Sequence, residues 1–338
     1  MSEHPSGPSP LLLLETINAY QRTAVIKAGI ELDLFTAIGE GKTTPAEIAG
    51  RCRASERGVR ILCDGLVILG FLRKEGERYS LTEDTAVFLD RRSPAYMGGT
   101  IEFLLAAPVT DGFKELTDAV RTGGTVVSPE GTVEPDHPVW VRFARAMMPM
   151  MALPAQSLAG MVPCEGGRPV KVLDIAAGHG VFGIAFAQRY PNVEVTALDW
   201  PAVLEVAEEN ARAAGVADRY RALPGSAFEV EYGSGYDVVL LTNFLHHFDP
   251  PTCVELLKKV RAALAEGGQA VALEFVPNED RVSPGPVALF SLTMLASTPR
   301  GDAYPFSELE RMFREAGFFE VRLEDVPPSF QRAVIATP

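Results

Sequence analysis

Between Val170 and Trp200 the chain reads V-K-V-L-D-I-A-A-G-H-G-V-F-G, then an amphipathic run to about Gln188, then V-E-V-T-A-L-D-W. The first apolar segment ends at an acid, Asp174, and the second at another, Asp199. A loop of small residues carrying Gly178 and Gly180 follows the first. Strand, glycine turn, helix, strand, acid is the arrangement by which a doubly wound sheet holds an adenosine-bearing cofactor. The glycines let the backbone come close to the ligand. An acid at the second strand tip accepts hydrogen bonds from both ribose hydroxyls.

The rest of the C-terminal half continues the alternation. The pattern predicts strands near 170–175, 193–198, 219–224, 236–242 and 268–276, and helices near 180–189, 201–214, 251–265 and 306–316. The end departs from it. Phe319 to Val326 and Phe330 to Ala336 are separated only by a short stretch around Pro327-Pro328. No helix fits between them, so they must pair as an antiparallel hairpin.

Upstream the pattern changes. Thr16 to Ile38 has apolar residues at helical spacing, and Thr43-Thr44-Pro45-Ala46-Glu47 starts a short helix through Cys52. Ser55 caps another helix that Gly70 stops. Phe71-Leu72-Arg73 and Tyr79-Ser80-Leu81 form a hairpin across Glu75-Gly76, which gives a winged-helix order. Residues 111–165 read as helical, broken at Gly123-Gly124 and between Pro129 and Pro138. The expected domains are a disordered tail over 1–10, a winged-helix domain over 11–110, a helical linker with pocket residues over 111–165, and an α/β domain over 166–338.

A length of 338 residues suits two domains, and the net charge of −13 argues against nucleic acid, which needs a basic face. Residues 1–100 are nearly neutral, with 12 basic and 13 acidic side chains, so the acidity lies mostly beyond them. Cys52, Cys63, Cys164 and Cys253 are scattered and no C-x-x-C occurs. That pattern suits a reducing cytoplasm, with neither disulfides nor structural zinc. No apolar run is long enough to cross a bilayer.

Gly178 to Gly183 matches G-x-G-x-x-G, which on its own fits any tight α/β turn. With the flanking strand and Asp199 it reads as a cofactor loop. Nicotinamide and S-adenosylmethionine cofactors both remain candidates. Asp174 and the terminal hairpin favour the second, since a carboxylate ahead of the loop suits an ammonium group and repels a pyrophosphate. Asp199 has a second reading, as a cap for a helix starting at Pro201. Ser226 after the third strand can reach an adenine amino group, and Phe228 can pack on the ring; the alternative is an ordinary loop.

Asn243-Phe244-Leu245-His246-His247-Phe248-Asp249 follows the fourth strand, at the edge where ligands sit in such sheets. A histidine there can act as general base on a phenol. The alternatives are two structural histidines or, with Asp249, a metal pair; adjacent histidines on one short turn rarely converge on one ion, and no metal is expected. Glu274 lies in an otherwise apolar strand, and burying it is costly unless it is paired. It can bond the far nitrogen of His246 and fix its tautomer, or serve as a strand-end loop contact. The Met-rich stretch from Trp140 to Leu153 reads equally as core or as lining for an aromatic substrate.

These motifs resemble the class I S-adenosylmethionine-dependent O-methyltransferases. The likeness is to the plant-type small-molecule group that includes the caffeate, flavonoid and acetylserotonin enzymes, with their bacterial relatives. It covers nearly the whole chain after Pro10. It implies an α/β Rossmann-like methyltransferase sheet with a terminal antiparallel hairpin, preceded by an all-α winged-helix dimerisation domain that makes homodimers and does not bind DNA. Leu173-Asp174-Ile175-Ala176-Ala177-Gly178-His179-Gly180 is similar to the family's V-D-V-G-G-G-x-G loop. Carried over by position, Asp174, Ala176, Gly178, Gly180, Asp199, Trp200, Ser226, Ala227, Phe228 and Thr242 would meet S-adenosyl-L-methionine. Leu245-His246-His247-Phe248 is similar to x-H-D-W, which makes His246 the implied base and Glu274 the acid that supports it. Phe143-Ala144-Arg145-Ala146-Met147 resembles the substrate helix F-x-x-A-M, and Phe290 to Leu295 a second pocket segment, so Met147, Phe290 and Met294 would line the pocket.

The chain departs from the family at four places. Ala176 and Ala177 replace loop glycines, Ser226 replaces the adenine-contacting Asp, and Thr242 stands where plant enzymes carry lysine. The second acid flanking the base falls at Ala303, with Asp302 beside it. The expected activity is methyl transfer to a hydroxyl of a small, aromatic metabolite. The rivals are C- or N-methylation on the same scaffold and a non-catalytic cofactor-binding regulator.

Overall fold

The computed structural model describes residues 7–164 and 168–338. The expected tail over 1–10 falls largely outside the described residues, and from Leu11 the chain is helical. It divides after Ile101 into two compact units.

The first unit is built from short helices. Apolar spacing from Thr16 to Ile38 gives not one helix but a succession, Leu11–Ile17, Tyr20–Glu31 and Leu34–Gly39. Asp33, at a left-handed φ of 55°, makes the last break. Thr44 and Glu47 close a full capping box on the helix Pro45–Cys52, and the Ser55 hydroxyl caps Glu56–Ile68. The hairpin follows as β1 (Leu72–Glu75) and β2 (Arg78–Leu81), paired antiparallel. Leu34, Phe35, Ile48, Leu66 and Tyr79 form the core, and the Tyr79 hydroxyl donates to Asp64 at 2.7 Å. Leu11, Leu12, Leu13, Leu14, Ile17 and Tyr20 are exposed on this single chain.

The second unit carries a seven-stranded sheet. Its strands are β3 (Val170–Ile175), β4 (Val193–Asp199), β5 (Tyr220–Pro224), β6 (Tyr236–Thr242), β7 (Leu264–Glu274), β8 (Glu320–Asp325) and β9 (Arg332–Thr337). The spatial order is β5-β4-β3-β6-β7-β9-β8, with the first five parallel and β9 antiparallel to both β7 and β8. The terminal hairpin is as the sequence requires. β7 begins earlier than expected and shifts register against β6 between Tyr236 and Val238.

Side chains alternate across the sheet. Val172, Val195, Ala197, Leu240, Leu273 and Ile335 bury themselves in one core; Leu173, Ile175, Val239, Leu241, Ala272 and Val334 enter the other. Helices on both faces explain why the central strands read as unbroken apolar runs. Strand order reverses between β3 and β6, and this switch point opens the crevice where ligands bind in such sheets. Among the described residues no helix is long and apolar enough to cross a membrane.

Each glycine of the loop motif has its own reason. Gly178 and Gly180 sit at φ +58° and +73°, and a Cβ on Gly180 would lie 2.5 Å from the Tyr220 hydroxyl. Gly183 sits where the helix Val181–Arg189 crosses β4, and a Cβ there would lie 2.7 Å from Val195 Cγ1. Exchanging a helical glycine for alanine ordinarily gains up to ~1 kcal/mol. Gly183→Ala is expected instead to lose about 1–3 kcal/mol through overpacking, read as a lower urea midpoint at unchanged m-value.

Candidate active site

Four strand tips meet at the switch point: Asp174-Ile175 on β3, Asp199 on β4, Gly225-Ser226 after β5 and Thr242-Asn243 after β6. Asp174 follows the alternation onto the face covered by the helix Val181–Arg189. It is fully buried, and Oδ2 accepts the Gly183 N–H at 3.0 Å. Oδ1 is buried without a partner. Burial, together with the nearby Asp199 charge, raises its pKa to about 7.

Asp199 turns its carboxylate back into the loop. Oδ2 accepts the Gly178 N–H at 2.8 Å and Oδ1 the Trp200 N–H at 2.7 Å. The helix Pro201–Ala213 has Trp200 as its N-cap with no side-chain cap bond, so Asp199 ties the two strand tips together. Burial raises its pKa to about 6, against the lowering effect of these two N–H groups. Ala176 adopts φ +54°, a left-handed conformation that costs alanine more than the glycine it resembles. The Trp200 ring packs with Ala144, Val203 and Val206.

After β5 the Ser226 hydroxyl accepts the Phe228 N–H at 3.2 Å. Ala227 is buried, and Phe228, half exposed, meets Phe248 edge-on at 4.9 Å. Thr242 is buried at the end of β6. Next to it Asn243 turns left-handed at φ 57° and its side-chain oxygen accepts from Gln331.

The turn Leu245–His247 presents both histidines, and both are buried. Glu274, at the end of β7, reaches across from the neighbouring strand. Its Oε1 accepts the Phe244 and Leu245 N–H groups at 3.0 and 2.8 Å, and its Oε2 bonds His246 Nδ1. A carboxylate can only accept, so Nδ1 carries the proton and Nε2 presents a lone pair, as a general base must. Asp249 caps the helix Pro250–Ala263 by accepting the Thr252 N–H at 3.0 Å. His247 is held neutral, since burial and the adjacent His246 drive its pKa well below the ordinary imidazole value.

Aromatic rings join this turn to the glycine loop. Phe290 meets His246 edge-on at 4.9 Å and stacks on Phe275 at 4.0 Å. His247 lies 4.3 Å from His246 and meets Trp140 at 5.1 Å; Trp140 in turn meets Phe143, which stacks on His179 at 5.6 Å. Met147 and Met151 are in the core beneath, Met150 is exposed, and Met294 is buried. The Asp302 carboxylate points away, onto Arg281 at 3.1 Å, while its N–H holds the His246 carbonyl at 3.0 Å. Ala303 is fully buried.

Phe275, His179 and Gln331 were not singled out from the sequence; Trp140 entered only as the start of the Met-rich stretch read as core or lining, and His247 only as a structural or metal-pairing histidine. His179 stood in view as the variable position of G-x-G. Gln331 carries no local signal, because only the tertiary fold brings it to the strand tips.

Models of two families match the chain: an O-methyltransferase domain over residues 113–319 and an O-methyltransferase dimerisation domain over residues 14–91. The 3-hydroxy-5-methyl-1-naphthoate 3-O-methyltransferase of Streptomyces sahachiroi is 30% identical over 324 residues, covering 94% of this chain and 92% of its own. The tetracenomycin polyketide synthesis 8-O-methyl transferase TcmO of Streptomyces glaucescens is also 30% identical, covering 94% of each. A crystal structure from Nostoc punctiforme PCC 73102, assigned as an O-methyltransferase, superposes with a TM-score of 0.95 at 55% identity, covering 98% of this chain and 100% of that one.

The buried acid under the loop gives a pH test. The folded-state pKa of Asp174, about 7, lies above the ordinary 3.8, so between these values the folded chain binds more protons than the unfolded one. Stability from this group therefore falls as pH rises from 4 to 7 and is level above. His179, lowered to about 4, tilts the opposite way, and its contribution is lost as pH falls below about 6.5. His179 is common to both proteins and cancels when Asp174→Asn is compared with the wild type. The variant is expected to gain relative stability with rising pH, by up to ~4 kcal/mol at pH 8, measured by urea unfolding across pH 4–8.

Proposed function

The chain belongs to the O-methyltransferases, which draw their methyl group from S-adenosylmethionine, and on that premise we propose that it methylates a hydroxyl of a small aromatic metabolite with His246 as general base. The observation that carries the assignment is the bond from the Glu274 carboxylate to His246 Nδ1, which leaves Nε2 basic at a strand tip of the crevice.

The loop suits the methyl donor. Asp174 offers an unpartnered buried oxygen for an ammonium group, Gly178 and Gly180 keep the loop free of side-chain bulk, and Asp199 stands at the ribose position. Ser226, Ala227 and Phe228 flank the adenine end, with Ala176, Trp200 and Thr242 completing the cradle. When bound, S-adenosylmethionine supplies an electrophilic methyl group on a sulfonium.

The protein's work is then positional and acid–base. His246 Nε2 takes the acceptor's O–H proton as the oxygen attacks and later gives it to water. Glu274 keeps the imidazole in the correct tautomer and stabilises the imidazolium that forms. The rings of Trp140, Phe143, Phe275 and Phe290, with Met147 and Met294, hold a planar acceptor and exclude water. Holding acceptor and methyl carbon in line is worth roughly 7–11 kcal/mol, and the base a further 10²- to 10⁴-fold. Relatives named for a naphthoate and a polyketide support a fused-ring phenol as the acceptor class.

The N-terminal unit supports a homodimer, since it matches a dimerisation domain and leaves Leu11 to Leu14 exposed. The four free cysteines fit a cytoplasmic setting.

His246→Ala is expected to lower kcat by about 10²- to 10⁴-fold on naphthol-type acceptors while calorimetric affinity for S-adenosylhomocysteine stays within about twofold. Full turnover in the variant would remove His246 from the reaction. Mass-spectrometric fragmentation of the product separates methylation at oxygen from methylation at carbon or nitrogen.

A further inference from the structure

His179 occupies the variable place of G-x-G, between two glycines of positive φ, and only 2% of it is exposed. Its Nδ1 accepts the Val181 N–H at 3.3 Å. That bond fixes the tautomer, because a ring nitrogen that accepts leaves the proton on the other one. Nε2–H is therefore a donor, and it is buried without a partner. Burial alone pushes the pKa down to about 4, so the ring is neutral.

The ring is held in place on several sides. It stacks on Phe143 with planes 23° apart and tilts against Phe182, and the residue's carbonyl accepts from Asn210 at 2.9 Å. Asparagine could close the same turn through a shorter side chain and leave no imidazole donor buried. A capping role thus accounts for Nδ1 and not for Nε2, and an unmet buried donor is a cost that a ligand oxygen removes.

The second observation is the helix that starts here. Val181–Arg189 has Gly180 as its N-cap with no cap bond from that residue; His179 Nδ1 takes the Val181 N–H and Asp174 Oδ2 the Gly183 N–H of its first turn, and the positive end of the helix lies beside the unpartnered Nε2–H, where it favours an anionic group. Asp174 and Asp199 on the same loop would repel a simple anion. The ligand that satisfies both charges is a zwitterion: its ammonium goes to the unpartnered Asp174 Oδ1 and its carboxylate to the neutral donor.

We propose that His179 Nε2–H donates a hydrogen bond to the carboxylate of the methyl donor's amino-acid group, which makes His179 a cofactor-binding residue that selects for that carboxylate. This rests on the methyl-transfer reading above.

The test titrates S-adenosylhomocysteine and its decarboxylated analogue into wild type, His179→Asn and His179→Gln. The wild type is expected to prefer the carboxylate ligand. His179→Asn keeps an acceptor for Val181 and is expected to weaken S-adenosylhomocysteine by about tenfold, leave the analogue unchanged, and melt no lower than wild type without ligand. His179→Gln, which reaches a donor to the place of Nε2, is expected to recover part of the loss. Equal weakening of both ligands, or of neither, would overturn the proposal. Should His179→Asn fail to fold, ¹⁵N-histidine spectra of the wild type decide: the His179 Nε2 resonance must move with S-adenosylhomocysteine and not with the analogue, and equal movement overturns the proposal. Failure of the wild type to bind either ligand would instead sink the methyl-donor reading on which it rests.

Discussion

One carboxylate organises the turn after β6 at the edge of the crevice. Glu274 is nearly fully buried, and its two oxygens take the Phe244 and Leu245 N–H groups and His246 Nδ1. A carboxylate in an apolar strand is tolerated only when such donors replace lost water. The same three bonds fold the turn after β6 and orient the imidazole. Stability of the turn and orientation of the His246 ring therefore depend on one group. Gly301 presses from the other side, where a Cβ would lie 2.3 Å from the His246 carbonyl, so the turn has no room to relax.

Glu274 is satisfied without a ligand, whereas Asp174, His179 and Tyr220 around the glycine loop, and His247 and Gln331 beside the turn after β6, each keep a buried polar atom unpartnered. Burial raises the pKa of Asp174 and Asp199 and lowers that of His179, which are the shifts expected of groups desolvated ahead of a partner. Such desolvated groups cost the free protein stability, and on the proposed reading a zwitterionic ligand would meet them preformed. The aromatic run from Phe290 through His246, His247 and Trp140 to Phe143 joins the two ends.

The fold was largely legible because local rules agreed with one another. Period-two and period-3.6 patterns located the strands and helices of the second unit, and Pro327-Pro328 left β8 and β9 only one way to pair. Where the reading was coarser, the cause is physical. A left-handed Asp33 breaks the apolar run before Ile38; aspartate tolerates that conformation better than most residues, yet adopts it too rarely for its presence to mark the break. β7 starts at Leu264 because a register shift beside Tyr236 lets extra residues join the ladder. Within the site, His246, Glu274 and Asp199 could be singled out because acids and histidines at the ends of apolar strands are anomalous. Gln331 could not, since an amide before a strand is ordinary until the chain folds over it, and the stretch opened by Trp140 could not be told from core packing.

The sequence alone determined the sheet, its glycine loop and the acids at its strand tips, because these follow from side-chain period, backbone sterics and the cost of burying charge. Only the tertiary structure decided which groups meet. It turned Asp199 onto the Gly178 N–H, sent the Asp302 carboxylate to Arg281, and brought Trp140 against His247. It also left the His179 donor buried without a partner. Such pairings join residues tens to more than a hundred positions apart. Their geometry is set by how helices and strands pack, which no local pattern encodes.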